Sequence, residues 1–285
     1  MSGLPPLLSV DQLDVTFDGP RGLVRAVRQV SFQLQAREVL AIIGESGSGK
    51  STLARAVMGM IPNRAGRIAL NGEPLAAAAG ARSRAQRRRL GMVLQDSGAA
   101  FDPRFTVRRI LLEPLRSLRG EQDSPAPERL LEDVGLSAAL LDRYPHELSG
   151  GQRQRLSIAR ALACSPSLLI CDEAVSALDL SVQAQILNLL SNLQERRGLA
   201  FLFITHDVAV VEYLADRIAV MYRGEILECA PAADVLDRPS HPYTRALLAS
   251  AKGTALAGDA TIALSKHRRQ SPMRSASRQD DNLPS

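Results

Sequence analysis

Residues 39–52, VLAIIGESGSGKST, constrain the fold more than any other stretch of the chain. Five apolar residues run without a polar break into a glycine-rich turn, and the turn runs straight into STLARAVMGMI. An unbroken apolar run of strand length reads as a strand covered on both faces, as in a parallel sheet, and the segment after the turn reads as a helix. The turn fits the pattern GxxxxGK[ST] through Gly44, Gly49, Lys50 and Ser51. Glycines let successive backbone amides turn inward as an anion cradle, and the helix N-terminus adds its partial positive charge. Gly44, Glu45, Ser46, Gly47, Ser48, Gly49, Lys50, Ser51 and Thr52 are therefore expected to hold the phosphates of a nucleotide. Lys50 would reach the β- and γ-phosphates, Ser51 would ligate Mg²⁺, and Thr52 would lie near the α-phosphate.

Other segments extend this pattern. LLSVDQLDVTF (7–17) and AVRQVSFQLQ (26–35) alternate apolar and polar residues, predicting antiparallel strands at one side of a sheet. GRIALNGEPL (66–75) predicts a hairpin turning at Asn71-Gly72. LGMVLQD (90–96), SLLICDE (167–173) and LAFLFITHD (199–207) predict buried strands. QAQILNLLSNLQERRG predicts a helix ending at Gly198, and RIAVMYRGEILECA (217–230) two closing strands around Arg223-Gly224. From Ser97 to about Ser149 strand signals stop. FTVRRILLEPLRSL, PERLLEDVGL and the short loop RYPHEL instead predict an inserted helical region punctuated by Pro and Gly.

Composition removes several function classes. The apolar fraction is 45% and the charged fraction 23%, ordinary globular values. Apolar strings are strand-sized, well short of the roughly 18–20 residues that a membrane span needs, and MSGLPPLLSV lacks the basic-then-apolar order of a signal peptide. The chain is expected to be soluble and to work at a membrane only by docking onto something embedded there. Trp is absent and aromatics make up 4% of residues, which disfavours a stacking surface for single-stranded nucleic acid. Cys164, Cys171 and Cys229 have neither metal-ligand spacing nor a disulfide count, which suggests a reducing, intracellular setting. The net charge of +5 is concentrated in RSRAQRRR (82–89) and in the tail from Ser265 to Arg278, and predicts a solvated face and a floppy basic tail, with contact to anionic lipid or nucleic acid as the alternative.

Three more polar groups fall at the carboxyl ends of predicted strands: Gln95 after GMVL, Asp172-Glu173 after LLIC, and His206 after LAFLFIT. Open α/β sheets place their ligands at that edge. Asp172 suits a water-mediated grip on Mg²⁺, Glu173 the polarisation of an attacking water, and Gln95 a metal-ligating or water-orienting amide. One stretch remains over. HELSGGQRQRLSIARAL (146–162) is a second Ser/Gly turn running into a helix, about a hundred positions after the first.

These motifs together resemble the ATPase subunits of ATP-binding cassette (ABC) transporters over about residues 7–250. The matching pieces, in order, are the phosphate loop 44–52, Gln95, LSGGQ at 148–152, LLICDE, SALD at 176–179 and His206. The resemblance implies an α/β P-loop NTPase (RecA-like) core with an antiparallel β subdomain and an inserted helical subdomain. Residues 1–95 and 158–252 would form the ATP-binding core, 96–157 the helical subdomain with the signature, and 253–285 a disordered tail. It further implies that Phe17, taken as preceding the strand pair, stacks on adenine. Gln95 would sense Mg²⁺ and the γ-phosphate, Glu173 would be the catalytic carboxylate, and His206 the γ-phosphate switch. Ser149, Gly150, Gly151 and Gln152 would hold the γ-phosphate of ATP bound to a second subunit, with Asp179 a contact across that dimer interface.

GESGSGKSTLARA, QDSGAAFDPR, SALDLSVQAQILNLL and HPYTRALL (241–248) resemble the ATPases of dipeptide, oligopeptide and nickel importers. DEAVSALD has Ala174 and Val175 where the commoner form has Pro and Thr, a variant similar to nickel-importer members, so a nickel or metal-chelate cargo stands beside peptides. Arg37 occupies a position where the family usually has Gly. Cys229 stands alone where members of this group often carry several cysteines, so no iron–sulfur cluster is expected. The implied partners are a second ABC ATPase chain, two transmembrane permease subunits and, indirectly, an extracytoplasmic solute-binding protein. The implied location is the cytoplasmic face of the inner membrane, and no nucleic acid is involved. A soluble ABC ATPase acting on ribosomes or DNA would be expected to carry two cassettes or a long coiled-coil insert, and the core motifs alone do not carry transport direction.

Overall fold

The computed structural model describes residues 5–19, 22–63, 65–95, 100–118, 125–176 and 178–255. In chain order, strands β1 (Leu8–Gly19) and β2 (Gly22–Leu34) lead to β3 (Val39–Ile43) and helix α1 (Lys50–Met58). Strands β4 (Ala65–Leu70) and β5 (Glu73–Pro74), helix α2 (Arg84–Arg88) and strand β6 (Leu90–Val93) follow. Helices α3 (Val107–Leu118), α4 (Pro127–Asp133) and α5 (Gly150–Leu162) come next. The chain then alternates β7 (Leu168–Asp172), α6 (Leu180–Arg197), β8 (Ala200–Ile204), α7 (Val208–Leu214), β9 (Arg217–Tyr222) and β10 (Glu225–Pro231), and ends in α8 (Ala232–Asp237) and α9 (Pro242–Ala255).

The strands form two sheets. One is antiparallel, in the order β2-β1-β4-β5, and the other runs β10-β9-β3-β8-β7-β6. In the second sheet β9, β3, β8, β7 and β6 are parallel neighbours, and β10 closes the edge antiparallel to β9. The expected antiparallel strands are thus β1 and β2, and with β4 and β5 they form a separate sheet, the antiparallel β subdomain that the resemblance implies. Alternation says which face of a strand is covered; it does not say by which sheet.

Helix α1 lies between the two sheets. Leu53, Ala54, Ala56 and Val57 pack with Leu8, Leu13, Val15, Val27 and Leu34 on one side, and with Leu40, Ile42, Ile170 and Leu202 on the other. The opposite face of the parallel sheet carries Leu169, Cys171, Phe201 and Phe203 into a second core with α3, α4, α5 and α6. Every residue of β3, β7 and β8 is buried, which is why, apart from Asp172 at the end of β7, each reads in sequence as an unbroken apolar run. Phe203→Ala in this doubly covered layer is expected to cost about 3–5 kcal/mol.

Local signals set the ends. Gly59 adopts φ 76 and caps α1, so the expected helix stops at Met58, short of Gly59-Met60-Ile61. Asp179 caps the start of α6 and Gly198, at φ 65, its end. Asn71 (φ 51) with Gly72 (φ 78), and Arg223 (φ 45) with Gly224 (φ 90), make the two expected tight turns. Helix α5 crosses position 157 without a break, and α9 continues to Ala255. The expected tail lies outside the described residues from 256 onward, as does Asp96 at the end of the expected strand 90–96. Among the described residues no helix is long and apolar enough to cross a membrane.

Candidate functional site

The loop from Gly44 to Gly49 joins the carboxyl end of β3 to the first turn of α1. Gly44, Gly47 and Gly49 all have positive φ, at 153°, 78° and 106°. At two of them a side chain would also collide with backbone: a Cβ on Gly44 would sit 2.1 Å from the Met221 carbonyl oxygen, and one on Gly49 would sit 2.2 Å from that of Ala26. The loop is further fixed from behind by the Gly224 amide, which donates to the Ser48 carbonyl at 2.8 Å. Lys50 is 5% exposed, and its ammonium donates to the carbonyls of Gly44 and Glu45, both at 2.7 Å, and to Ser48 Oγ at 3.3 Å. Burial pushes its pKa down, against the pull of Glu173, Asp172 and Glu45. A desolvated cation folded into a ring of backbone gains most from an anion beside it.

The parallel register brings the other polar groups to this edge. Ile42 and Asp172 both lie level with Ile204, and Cys171 lies level with Val93. Ser51 Oγ donates to Asp172 Oδ1 at 2.7 Å, and Arg55 approaches Asp172 Oδ2 at 3.9 Å. Asp172 is 4% exposed, and burial raises its pKa. A hydroxyl and a desolvated carboxylate side by side are the hard-oxygen donors that suit Mg²⁺. Glu173 follows with φ 51, a strained conformation for a residue with a side chain, held by its amide donating to the Ile204 carbonyl at 2.9 Å. His206 Nδ1 stands 3.5 Å from Glu173 Oε1. Gln95 lies two residues past β6, the strand at the far edge, and its side chain is exposed. The structure therefore groups the phosphate loop, Asp172, Glu173 and His206 closely, with Gln95 on the same edge three strands from β3.

Phe17 is 39% exposed, and it lies within β1, paired with Val24 of β2, instead of before the strand pair. Two residues beyond Val24, Ala26 touches Gly49, so this end of the hairpin borders the loop. The second Ser/Gly turn is built differently. Ser149 Oγ accepts from the Gln152 amide at 3.2 Å, and Gln152 Oε1 accepts from the Ser149 amide at 2.9 Å, a reciprocal cap on α5. Gly150 faces open space, while Gly151 lies against Val182 in the first turn of α6. Asp179 caps that turn, accepting from the Val182 amide at 3.0 Å and from Ser181 Oγ at 2.7 Å. Helix α5 packs on α3, α4, α6 and β6.

The family model for ABC transporters matches residues 27–176, more than half of the chain. This chain belongs to the ABC transporter family. A protein of Sinorhizobium fredii named a probable peptide ABC transporter ATP-binding protein is 52% identical over 232 residues, 80% of this chain and 66% of that protein. The glutathione import ATP-binding protein of Salmonella typhimurium is 47% identical over 255 residues, 86% of this chain and 41% of that protein. The chain thus spans only part of these relatives. A Brucella ovis protein named for peptide import ATP binding is 45% identical over 249 residues, 86% of this chain and 78% of its own length. Among solved structures, the dimeric cassette MJ0796 matches with TM-score 0.69 and 25% identity over 79% of this chain and 98% of that one. The same cassette, described as a post-hydrolysis state bound to ADP and Pi, matches with TM-score 0.69 and 24% identity.

Within this ABC fold, three side chains at the site make contacts that carry no signal in the sequence. Gln154 of α5, 2% exposed, donates to the Ala174 carbonyl at 2.6 Å and so ties the signature helix to the loop after Glu173. Arg55 balances Asp172 from one turn into α1. Tyr243 of α9 accepts from the Glu45 amide at 3.3 Å. All three lie in stretches that the sequence singles out (Arg55 in GESGSGKSTLARA, Gln154 in HELSGGQRQRLSIARAL, Tyr243 in HPYT), but there they point to a family and not to a contact.

Proposed function

We propose that this chain is the ATP-binding and ATP-hydrolysing subunit of an ABC importer, acting on peptides. The observation that carries this reading is the buried Lys50 ammonium inside a glycine loop, beside the Ser51–Asp172 pair at the carboxyl edge of the parallel sheet. The loop amides and Lys50 bind the β- and γ-phosphates, and Phe17 offers its exposed ring to the base. Ser51, Asp172 and Gln95 would hold Mg²⁺, which would supply neutralisation of phosphate charge for phosphoryl transfer. Glu173 takes the proton of the attacking water on its carboxylate, and His206, 3.5 Å from Oε1, orients that carboxylate and contacts the γ-phosphate.

The remaining half of the site comes from a second ABC ATPase chain. Ser149, Gly150, Gly151 and Gln152 present the start of α5 to a nucleotide on that partner, and Asp179 lies at the same interface. Residues 96–157 act as the helical subdomain that carries the signature, against a core of 1–95 and 158–252. Closure of the pair around ATP supplies the force, because the signature amides gain their anion only when the pair closes. At the cytoplasmic face of the inner membrane the chain passes that motion to two transmembrane permease subunits, and an extracytoplasmic binding protein selects the cargo. The relatives named for peptide and glutathione import support a peptide cargo. The DEAVSALD variant supports a nickel or metal-chelate importer as a second reading.

The test is Glu173→Gln in the assembled transporter. ATP should still bind, turnover should fall by about 10²–10⁴-fold, and the two ATPase chains should be trapped closed. Hydrolysis near the wild-type rate would remove Glu173 from the chemistry.

A further inference from the structure

We infer that Tyr243 is a positioning residue of the phosphate loop, with the HPYT segment as the brace that holds it there. The inference rests on the nucleotide-site reading above. The decisive group is the single peptide unit between Gly44 and Glu45. Its N–H donates to the Tyr243 hydroxyl at 3.3 Å, and its carbonyl, that of Gly44, accepts from Lys50 Nζ at 2.7 Å. A peptide unit is planar, so fixing its N–H fixes the direction of its carbonyl. Tyr243 thereby orients the oxygen that holds the phosphate-binding ammonium. Glu45, Ser46 and Gly47 are exposed, so this half of the loop has little packing of its own to set that plane.

Tyr243 is itself held at several points. Its ring centroid lies 4.4 Å from that of Tyr222, at the end of the strand whose Met221 carbonyl backs Gly44. Its own amide donates to His241 Nδ1 at 3.1 Å. The carboxylate of Glu228 on β10 accepts from the amide and hydroxyl of Ser240, at 2.8 and 2.7 Å, and from the amide of His241 at 3.1 Å. A continuous set of contacts therefore runs from β10 through Ser240, His241 and Tyr243 to Gly44 and Lys50. Burial raises the Tyr243 pKa, against the pull of the Glu45 amide that donates to its hydroxyl.

Tyr243→Phe keeps the ring and its stack on Tyr222 and removes only the hydroxyl. MgATP and MgADP are titrated into the isolated chain well below its melting temperature, with circular dichroism confirming the fold. Affinity for both nucleotides should fall together by about three- to tenfold, since the loop holds phosphates that they share. The melting temperature without nucleotide should not move. In the assembled transporter, KM for ATP should rise by the same factor while kcat stays at the wild-type value. If the wild-type chain does not bind MgATP, the nucleotide-site reading fails. If it does bind and the variant stays within twofold, only the positioning role fails. A loss confined to ATP, or a variant unfolded at the titration temperature, also overturns that role.

Discussion

The chain has two glycine turns at helix N-termini, and they are held in opposite ways. The phosphate loop is enclosed by its own chain: β9 and β2 press on Gly44 and Gly49, Gly224 holds Ser48, and Lys50 is buried within it. The signature turn is capped by its own side chains, Ser149 against Gln152, and beside Gly150 there is open space. A turn gripped by three neighbouring segments is finished within one molecule. A turn that satisfies its own cap and leaves its outer glycine bare still has amides to offer. The proposed division of labour, one cradle for each of two nucleotides, accounts for that contrast.

The largest effect that could break this contrast comes from Ser149→Arg. It should leave MgATP binding to the isolated chain unchanged if, as proposed, the signature serves a nucleotide on the partner chain. In the assembled pair, turnover should fall by about 10²-fold or more, the scale for losing preorganised donors at a phosphate. Weakened binding by the isolated chain would mean that both turns serve one nucleotide.

A pair of glycine substitutions sharpens the same contrast through stability. Gly49→Ala forces a side chain to φ 106 with its Cβ 2.2 Å from the Ala26 carbonyl oxygen, so urea unfolding should show a loss of about 2 kcal/mol or more. Gly150→Ala meets nothing within 4 Å at the start of a helix, and should leave stability unchanged or raise it by up to about 1 kcal/mol. Its cost should appear only as reduced turnover in the pair. Equal destabilisation by the two substitutions would end the distinction between an enclosed loop and an open one.

The two turns also differ in how much of their setting the sequence discloses. Both are legible as turns, and so are β3, β7 and β8, because strands covered on both faces leave continuous apolar runs. Asp172, Glu173 and His206 are legible by position, since a parallel sheet brings the residues after its strands to one edge. What surrounds the phosphate loop is not legible. Tyr243 meets Glu45 across 198 positions, Gln154 meets Ala174 from another helix, and neither contact leaves a periodic trace. Alternation places Phe17 in the expected strand 7–17, but the pairing of β1 with β4 as well as β2 leaves no local trace, because alternation reports burial and leaves the partner unnamed. Local chemistry is written locally, and the grip on the loop is assembled by the fold.

The smallest expected effect tests the outermost part of that grip. Partial burial opposes the charge of Glu228, but the Thr244 hydroxyl beside it, with hydrogen bonds from Ser240 and His241, prevails and holds its carboxyl down to about 2, below its ordinary value of 4.5. A carboxylate with a depressed folded-state pKa stabilises the fold above its unfolded value, and that contribution is lost as pH falls toward the folded one. Glu228→Gln should therefore cost about 1 kcal/mol near neutrality. The gap between wild type and variant, followed by urea unfolding across pH, should close as pH drops from 4.5 toward 2. The signature turn has no such carboxylate in its reciprocal Ser149–Gln152 cap, so Gln152→Ala should shift stability by an amount that does not vary over the same range. A gap at Glu228 that is equally insensitive to pH would mean that its charge does not anchor the segment bearing Tyr243, and the brace would then have to hold through the Tyr222 stack alone.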